Sequence, residues 1–211
     1  DQREKFKEKL LEETYNPYFD IRYLLLCLYT KLPPIRQSEY CKCLLELSEN
    51  GAELNENYID FDEKVMTIIH HKQERKMGER KINLSDDLVE DIKQFMKKSK
   101  SRWLLPQVND LNKHVSENQV TEIFKSIFNK NVGPMMLRKI FVSENVIDKD
   151  MKGNERKEIA TQMGHTPATQ QLVYSKFSKK LHDSSDSALH QAKALNSASL
   201  NSASLNSASL N

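Results

Sequence analysis

Met163-Gly164-His165-Thr166-Pro167, with Tyr174 nine residues after the histidine, is the stretch whose reading decides the fold. Glycine ends a helix by taking the left-handed conformation that other residues avoid, and a Thr-Pro pair begins the next one. The sequence therefore predicts a short helix over 155–163, stopped by Gly164, with an imidazole at the break. A further helix follows, carrying Leu172, Val173, Tyr174 and Phe177. Two turns of that helix are enough to bring the tyrosine hydroxyl back beside the histidine. Taken alone, a stop glycine, a capping histidine and a core tyrosine explain the stretch without any chemistry.

Three more residues stand upstream. Arg138 closes Met135-Met136-Leu137-Arg138, at the start of a helix opened by Gly133-Pro134. Arg36 follows Leu32-Pro33-Pro34-Ile35, and Lys72 follows the candidate strand Val65 to His71. Each has an ordinary explanation: Arg36 pairs with Glu39 or Glu46, Arg138 pairs with Glu144 or Asp148, and Lys72 is one charge on a wet hairpin. Their order and spacing together are what those explanations leave unaccounted for.

That ordered set resembles the catalytic domain of the tyrosine recombinase (phage integrase) family. The family presents an Arg on an early helix, a Lys on a β-hairpin, a His-x-x-Arg box, a Gly-His, and a nucleophilic Tyr about nine residues later. Arg36, Lys72, Arg138, Gly164-His165 and Tyr174 match it in this sequence, and the resemblance covers roughly residues 15 to 180. Segments 137–144 and 155–160 look like integrases of large eukaryotic DNA viruses, virophages and related mobile elements. The resemblance implies an α+β fold, mainly helical with a small antiparallel sheet, and double-stranded DNA as partner. It further implies a homotetramer assembled on DNA, and no cofactor or metal.

One position departs from the pattern. Met135 stands where the family usually has the His of His-x-x-Arg, and Met neither donates a proton nor binds a phosphate. His165 and Lys72, or the neighbouring His70 or His71, are the groups left to carry protons. Arg75, Lys76 and Lys81 share the hairpin with Lys72; Lys72 is preferred because it follows its strand directly.

The implied chemistry gives each residue a task. Attack on a phosphodiester builds negative charge on the non-bridging oxygens, which the guanidiniums of Arg36 and Arg138 clamp without a metal. Tyr174, a phenol with a pKa of about 10, ionises more readily in a cationic field. Lys72 protonates the leaving 5′-oxygen, and His165 bonds a phosphate oxygen or helps the tyrosine lose its proton. The 3′-phosphotyrosyl bond stores the energy for rejoining. Other readings remain open at this point: a type IB topoisomerase, a telomere-resolving relative, a DNA-binding module that has lost activity (favoured by Met135), or a helical interaction protein.

Composition bounds these readings. The chain has 211 residues, enough for one substantial domain or two small ones, and a net charge of +2 that does not announce a nucleic-acid partner. Local basic clusters at 70–81 and 97–102 are more suggestive. No run approaches the roughly 20 apolar residues of a membrane helix, so no membrane partner is expected. No secretory signal opens the sequence. Cys27, Cys41 and Cys43 fit neither a disulfide framework nor a metal spacing, which favours idle thiols in a reducing, intracellular compartment, host nucleus or cytoplasm if viral. No glycine-rich phosphate loop and no acidic metal cluster is present in the sequence.

Helices are expected over 2–13, 20–32, from Pro33-Pro34 to Asn50-Gly51 (burying Tyr40, Leu44 and Leu47), after the Ser85 cap, and after the Ser116/Gln119 capping box. Strands are expected over 58–61, 65–71 and 80–84, with Lys76-Met77-Gly78 as a hairpin tip. Residues 1–182 are assigned to the catalytic domain and 183–211 to a tail, with Asn-Ser-Ala-Ser-Leu repeating from about residue 195. Residues 1–20 are too few for the family's clamp domain, so the chain is expected to be a catalytic fragment that binds DNA weakly by itself.

Overall fold

From Ile21 to Tyr29 nearly every residue is apolar, and a helix apolar all round has to be surrounded. In the computed structural model, which describes residues 14–45, 56–72, 74–147, 151, 153–166, 168 and 170, this run forms the central helix α1 (Pro17–Thr30). Asn16 caps it, its side chain accepting from Tyr18 N, and Pro17 occupies the first turn, where no amide proton is required. Leu24, Leu25, Cys27 and Leu28 are fully enclosed.

Helix α2 (Gln37–Cys41) follows the double proline and leads into strand β1 (Cys43–Leu44). The single long helix expected from Pro33-Pro34 to Asn50-Gly51 is therefore corrected: it stops at Cys41, and Leu44 is buried as a strand residue. Cys43-Leu44-Leu45 is a continuous apolar run, which suits a buried strand better than an amphipathic helix. Its backbone bonds sideways, Leu45 N donating to Arg102 O and Leu104 N to Cys43 O. Leu47, Asn50 and Gly51 lie outside the described residues.

Strands β2 (Asn57–Asp60), β3 (Val65–Ile68) and β4 (Arg80–Asn83) complete a sheet of order β1-β2-β3-β4. The β2–β3 and β3–β4 pairs are antiparallel, and β1 joins β2 in parallel. Ile59 opposite Met66 opposite Ile82 fixes the register with one face on the core. The expected hairpin tip holds instead a short helix α3 (Glu74–Met77), followed by Gly78 at φ 63°.

Helix α4 (Asp86–Ser99) begins after Ser85 and buries Leu88, Val89, Ile92 and Phe95 against α1. Two charge clusters tie these helices together: Lys98 lies 2.8 Å from buried Asp20, and Lys31 lies 2.6 Å from both Asp87, which is exposed, and Asp91. Strands β5 (Pro106–Gln107) and β6 (Asp110–His114) form a small hairpin that the sequence reading did not contain. They are short and expose residues at alternate and adjacent positions alike, so no clear period marks them.

Helix α5 (Glu117–Phe128) has the expected capping box, with Ser116 Oγ accepting from Gln119 N and Gln119 Oε1 accepting from Ser116 N. Tyr29, Tyr40 and Phe124 pack edge to face or tilted at the centre of the core. Helix α6 (Pro134–Val142) continues into a π-turn over Ser143–Ile147, and helix α7 (Gly153–Gln162) ends at Gly164. Val142, Val146 and Met163 form a second, smaller core there. All three cysteines are buried free thiols, and burial pushes those of Cys27 and Cys41 up to about 12, which leaves them protonated at neutral pH. Among the described residues no helix is long and apolar enough to cross a membrane, and no group of His, Cys, Asp or Glu is arranged to hold a metal. The expected helices over 2–13 and beyond Pro167 fall outside the described residues or nearly so.

Candidate functional site

Arg36 sits immediately ahead of α2, where extended backbone (φ −71°, ψ 146°) joins the proline segment to the helix. Tyr40 fixes that segment from below: its hydroxyl donates to Leu28 O at 3.0 Å and faces Ile35 N at 3.5 Å. Glu39, one helical turn after Arg36, accepts from the Arg36 backbone amide at 3.0 Å through Oε2. Its Oε1 faces the Arg36 guanidinium at 3.5 Å and that of Arg80 at 2.8 Å.

Arg138, the fifth residue of α6, is 3% exposed. Its Nη1 donates to Pro34 O at 2.7 Å and its Nη2 to Met163 O at 3.1 Å, so one side chain clamps the loop before Arg36 to the end of α7. The same Nη2 lies 2.6 Å from His165 Nε2. A guanidinium has no acceptor, so Nε2 carries the lone pair and the imidazole proton sits on Nδ1. Burial first, then the charges of Arg138, Arg36 and Arg80, lower the His165 pKa from 6.5 to about 3. The ring is neutral at physiological pH.

Gly164 has φ +67°, the left-handed value that the sequence pattern of a helix stop requires. It also meets a steric demand. A Cβ there would lie 3.0 Å from Arg80 Nη1 and 3.2 Å from Arg36 Nη1. The Gly-His turn thus lies directly against two guanidiniums.

A cavity of about 400 Å³ opens over this cluster. Arg36, Arg138 and His165 line it, with Met135, Glu117 and Thr121 toward α5 and α6. Two guanidiniums, Arg36 and Arg80, face one buried carboxylate, Glu39, and a third, Arg138, faces His165; the carboxylate on the cavity wall, Glu117, is exposed. The imbalance is positive and sits in a partly desolvated place, which suits an anion with several oxygens.

Of the residues expected from the sequence, the structure brings Arg36, Arg138 and His165 into one cavity. Lys72 is exposed on the connection between β3 and β4 and is not among the residues lining it. That connection is nevertheless anchored beside the site. Buried Asn57 donates to Glu39 O at 3.0 Å and accepts from Ile69 N and His70 N. His71 Nε2 lies 2.8 Å from Gly78 O, across the base of the loop. Tyr174 lies outside the described residues. Met135 occupies the cavity wall, 62% exposed.

In the sequence Arg80 opens the strand candidate 80–84 and belongs to the basic stretch 70–81, and neither marks it as part of the site. Its guanidinium is 2% exposed, pairs with Glu39, and donates through Nη1 to Gln162 O at 2.6 Å. The signal was present in the period-2 pattern: Arg80, Ile82 and Leu84 face inward while Lys81 and Asn83 face out. A charge on the core face of a strand needs a buried partner.

No family model and no curated protein matches the sequence. Solved structures do. The fold is that of a XerA recombinase, with a TM-score of 0.54, 16% identity, and 81% of this chain covered against 58% of that one. It is equally that of the Tn1549 transposon integrase solved with transposon right-end DNA, with a TM-score of 0.54, 17% identity, and coverage of 86% and 62%. This is the tyrosine recombinase fold. The chain spans about three fifths of each of those proteins.

Proposed function

We propose that this chain is a DNA recombinase or integrase of the tyrosine type, which cuts and rejoins DNA strands through a transient bond to Tyr174. The observation that carries the reading is the convergence in one cationic cavity of Arg138 and His165 with Arg36, which stands about a hundred residues upstream of them. A recombinase-like fold raises the expectation, and the DNA-bound neighbour makes duplex DNA the natural ligand.

In this reading a DNA phosphodiester enters the cavity with its non-bridging oxygens toward Arg36 and Arg138. The oxygen of Tyr174 gives up its phenolic proton, to His165 or to water, and attacks phosphorus; a P–O bond to tyrosine forms as the bond to the 5′-oxygen breaks. The leaving oxygen takes its proton from Lys72, whose loop is anchored near Glu39 through Asn57. Neutral His165 donates through Nδ1–H, or through Nε2–H once phosphate draws Arg138 away and the tautomer changes. Reversal with a new 5′-hydroxyl rejoins the strand. Four protomers on two duplexes and a viral or mobile-element origin belong to this proposal as well.

The test is a nicked or 5′-bridging phosphorothiolate duplex carrying the element's terminal sequence. A covalent protein–DNA adduct in metal-free buffer, lost in Tyr174→Phe and in Arg138→Ala, supports the reading. Binding without any adduct favours the second reading, a DNA-binding module of the same fold; Met135, which supplies no donor at the wall, is the observation that favours it.

A further inference from the structure

We propose that Arg80 is a positioning residue of this site: by bridging Glu39 and the Gln162 carbonyl beneath Gly164, it sets the separation of Arg36 from His165. The inference rests on the reading of the cavity as a phosphodiester clamp and adds a member to it. Arg80 itself does not line the cavity.

Three observations converge. Glu39 is fully buried and faces both Arg36 and Arg80, at 3.5 and 2.8 Å through a single oxygen. Without Arg80, Glu39 would be drawn wholly to Arg36, and the Arg36 guanidinium would be held back from a phosphate. Arg80 thus leaves Arg36 only loosely held. Second, Arg80 Nη1 bonds Gln162 O at 2.6 Å, at the end of α7, two residues before the Gly-His turn. That bond joins strand β4 to α7, elements that pack against each other there. Third, Gly164 lies against both guanidiniums, so a shift of Arg80 is passed to the turn that carries His165. Lysine would keep the charge but not the planar fork that reaches two acceptors in fixed directions.

The experiment compares wild type, Arg80→Lys, Arg80→Met and a distant core control, Ile92→Val. Each is assayed for melting temperature, affinity for the target duplex, and single-turnover cleavage of the phosphorothiolate substrate at saturating protein. Arg80→Met is expected to slow cleavage by about a hundredfold, the scale of a misplacement near 1 Å, while DNA affinity stays at the wild-type value. Arg80→Lys is expected to fall between the two, and Ile92→Val to cleave normally. If Arg80→Met does not fold, Arg80→Lys carries the test; a folded Arg80→Lys that cleaves at the wild-type rate overturns the proposal. Loss of cleavage in step with loss of folded protein overturns it too.

A second arm does not depend on cleavage. The amides of Gly164 and His165 bond Thr161 O and Ala160 O, and their hydrogen exchange reports whether the turn is held. Faster exchange at these two amides in Arg80→Lys, with the α1 amides unchanged, supports positioning by Arg80. Unchanged exchange overturns it. Should wild type form no adduct, the recombinase reading fails and this arm still decides the role of Arg80.

Discussion

Arg138 Nη2 lies 2.6 Å from His165 Nε2, a guanidinium donating to a neutral imidazole inside a cluster of cations. The pair is suited to negative charge: in the proposed reading a phosphate oxygen would take over the guanidinium and free the ring to act as a donor.

The first prediction concerns its titration. His165 has a folded pKa of about 3 against 6.5 for an ordinary histidine, so the unfolded chain binds a proton that the folded chain refuses between those values. The stability associated with this group is complete above pH 6.5 and is lost as pH falls toward 3. Urea unfolding from pH 7 to pH 4 should show a shallower loss of stability in His165→Gln than in wild type. Equal slopes would remove the electrostatic picture of the site.

Glu39→Ala should be among the most destabilising changes in the chain. It leaves the Arg80 guanidinium buried without its counter-charge, a loss of about 3–5 kcal/mol. Glu39→Gln keeps the shape and an acceptor and should lose less. Chemical denaturation of both variants checks the order.

Gly164→Ala tests the turn. Alanine at φ +67° costs about 1–2 kcal/mol, and its methyl would press on Arg80 and Arg36. Cleavage should fall further than stability. A variant that melts lower but cleaves normally would separate the turn from the chemistry.

Met135→His restores the donor that the family pattern places there. Met135 is exposed on the cavity wall, so the change should fold without cost and speed adduct formation by about tenfold or more. A single-turnover time course beside wild type decides it. No gain would mean that another group already supplies that proton.

Much of this was readable in the sequence where one local rule governed. The Ser116/Gln119 box, the Gly133-Pro134 start and the Gly164 stop each have a short-range cause, and each lies where the pattern put it. The joining of Arg36, Arg138 and His165 was readable only through a family likeness, because no local rule brings residues a hundred positions apart together. Arg80 is not legible as part of the site, because a period-2 pattern does not tell which inward charge finds a buried partner, here Glu39. The α2 boundary was misjudged because Leu44 fits a helix face and a buried strand equally well, and its pairing partners stand at Tyr58 and Trp103.

The cluster draws on α2, β4, α6 and the turn after α7, and Glu39, Arg80 and Arg138 are each held by a partner from another segment. A half-synthesised or nicked chain therefore has no partial version of the site. Under the recombinase reading proposed above, competence to cut is then a late event on the ribosome: the blade is assembled only when the last of its handle is in place.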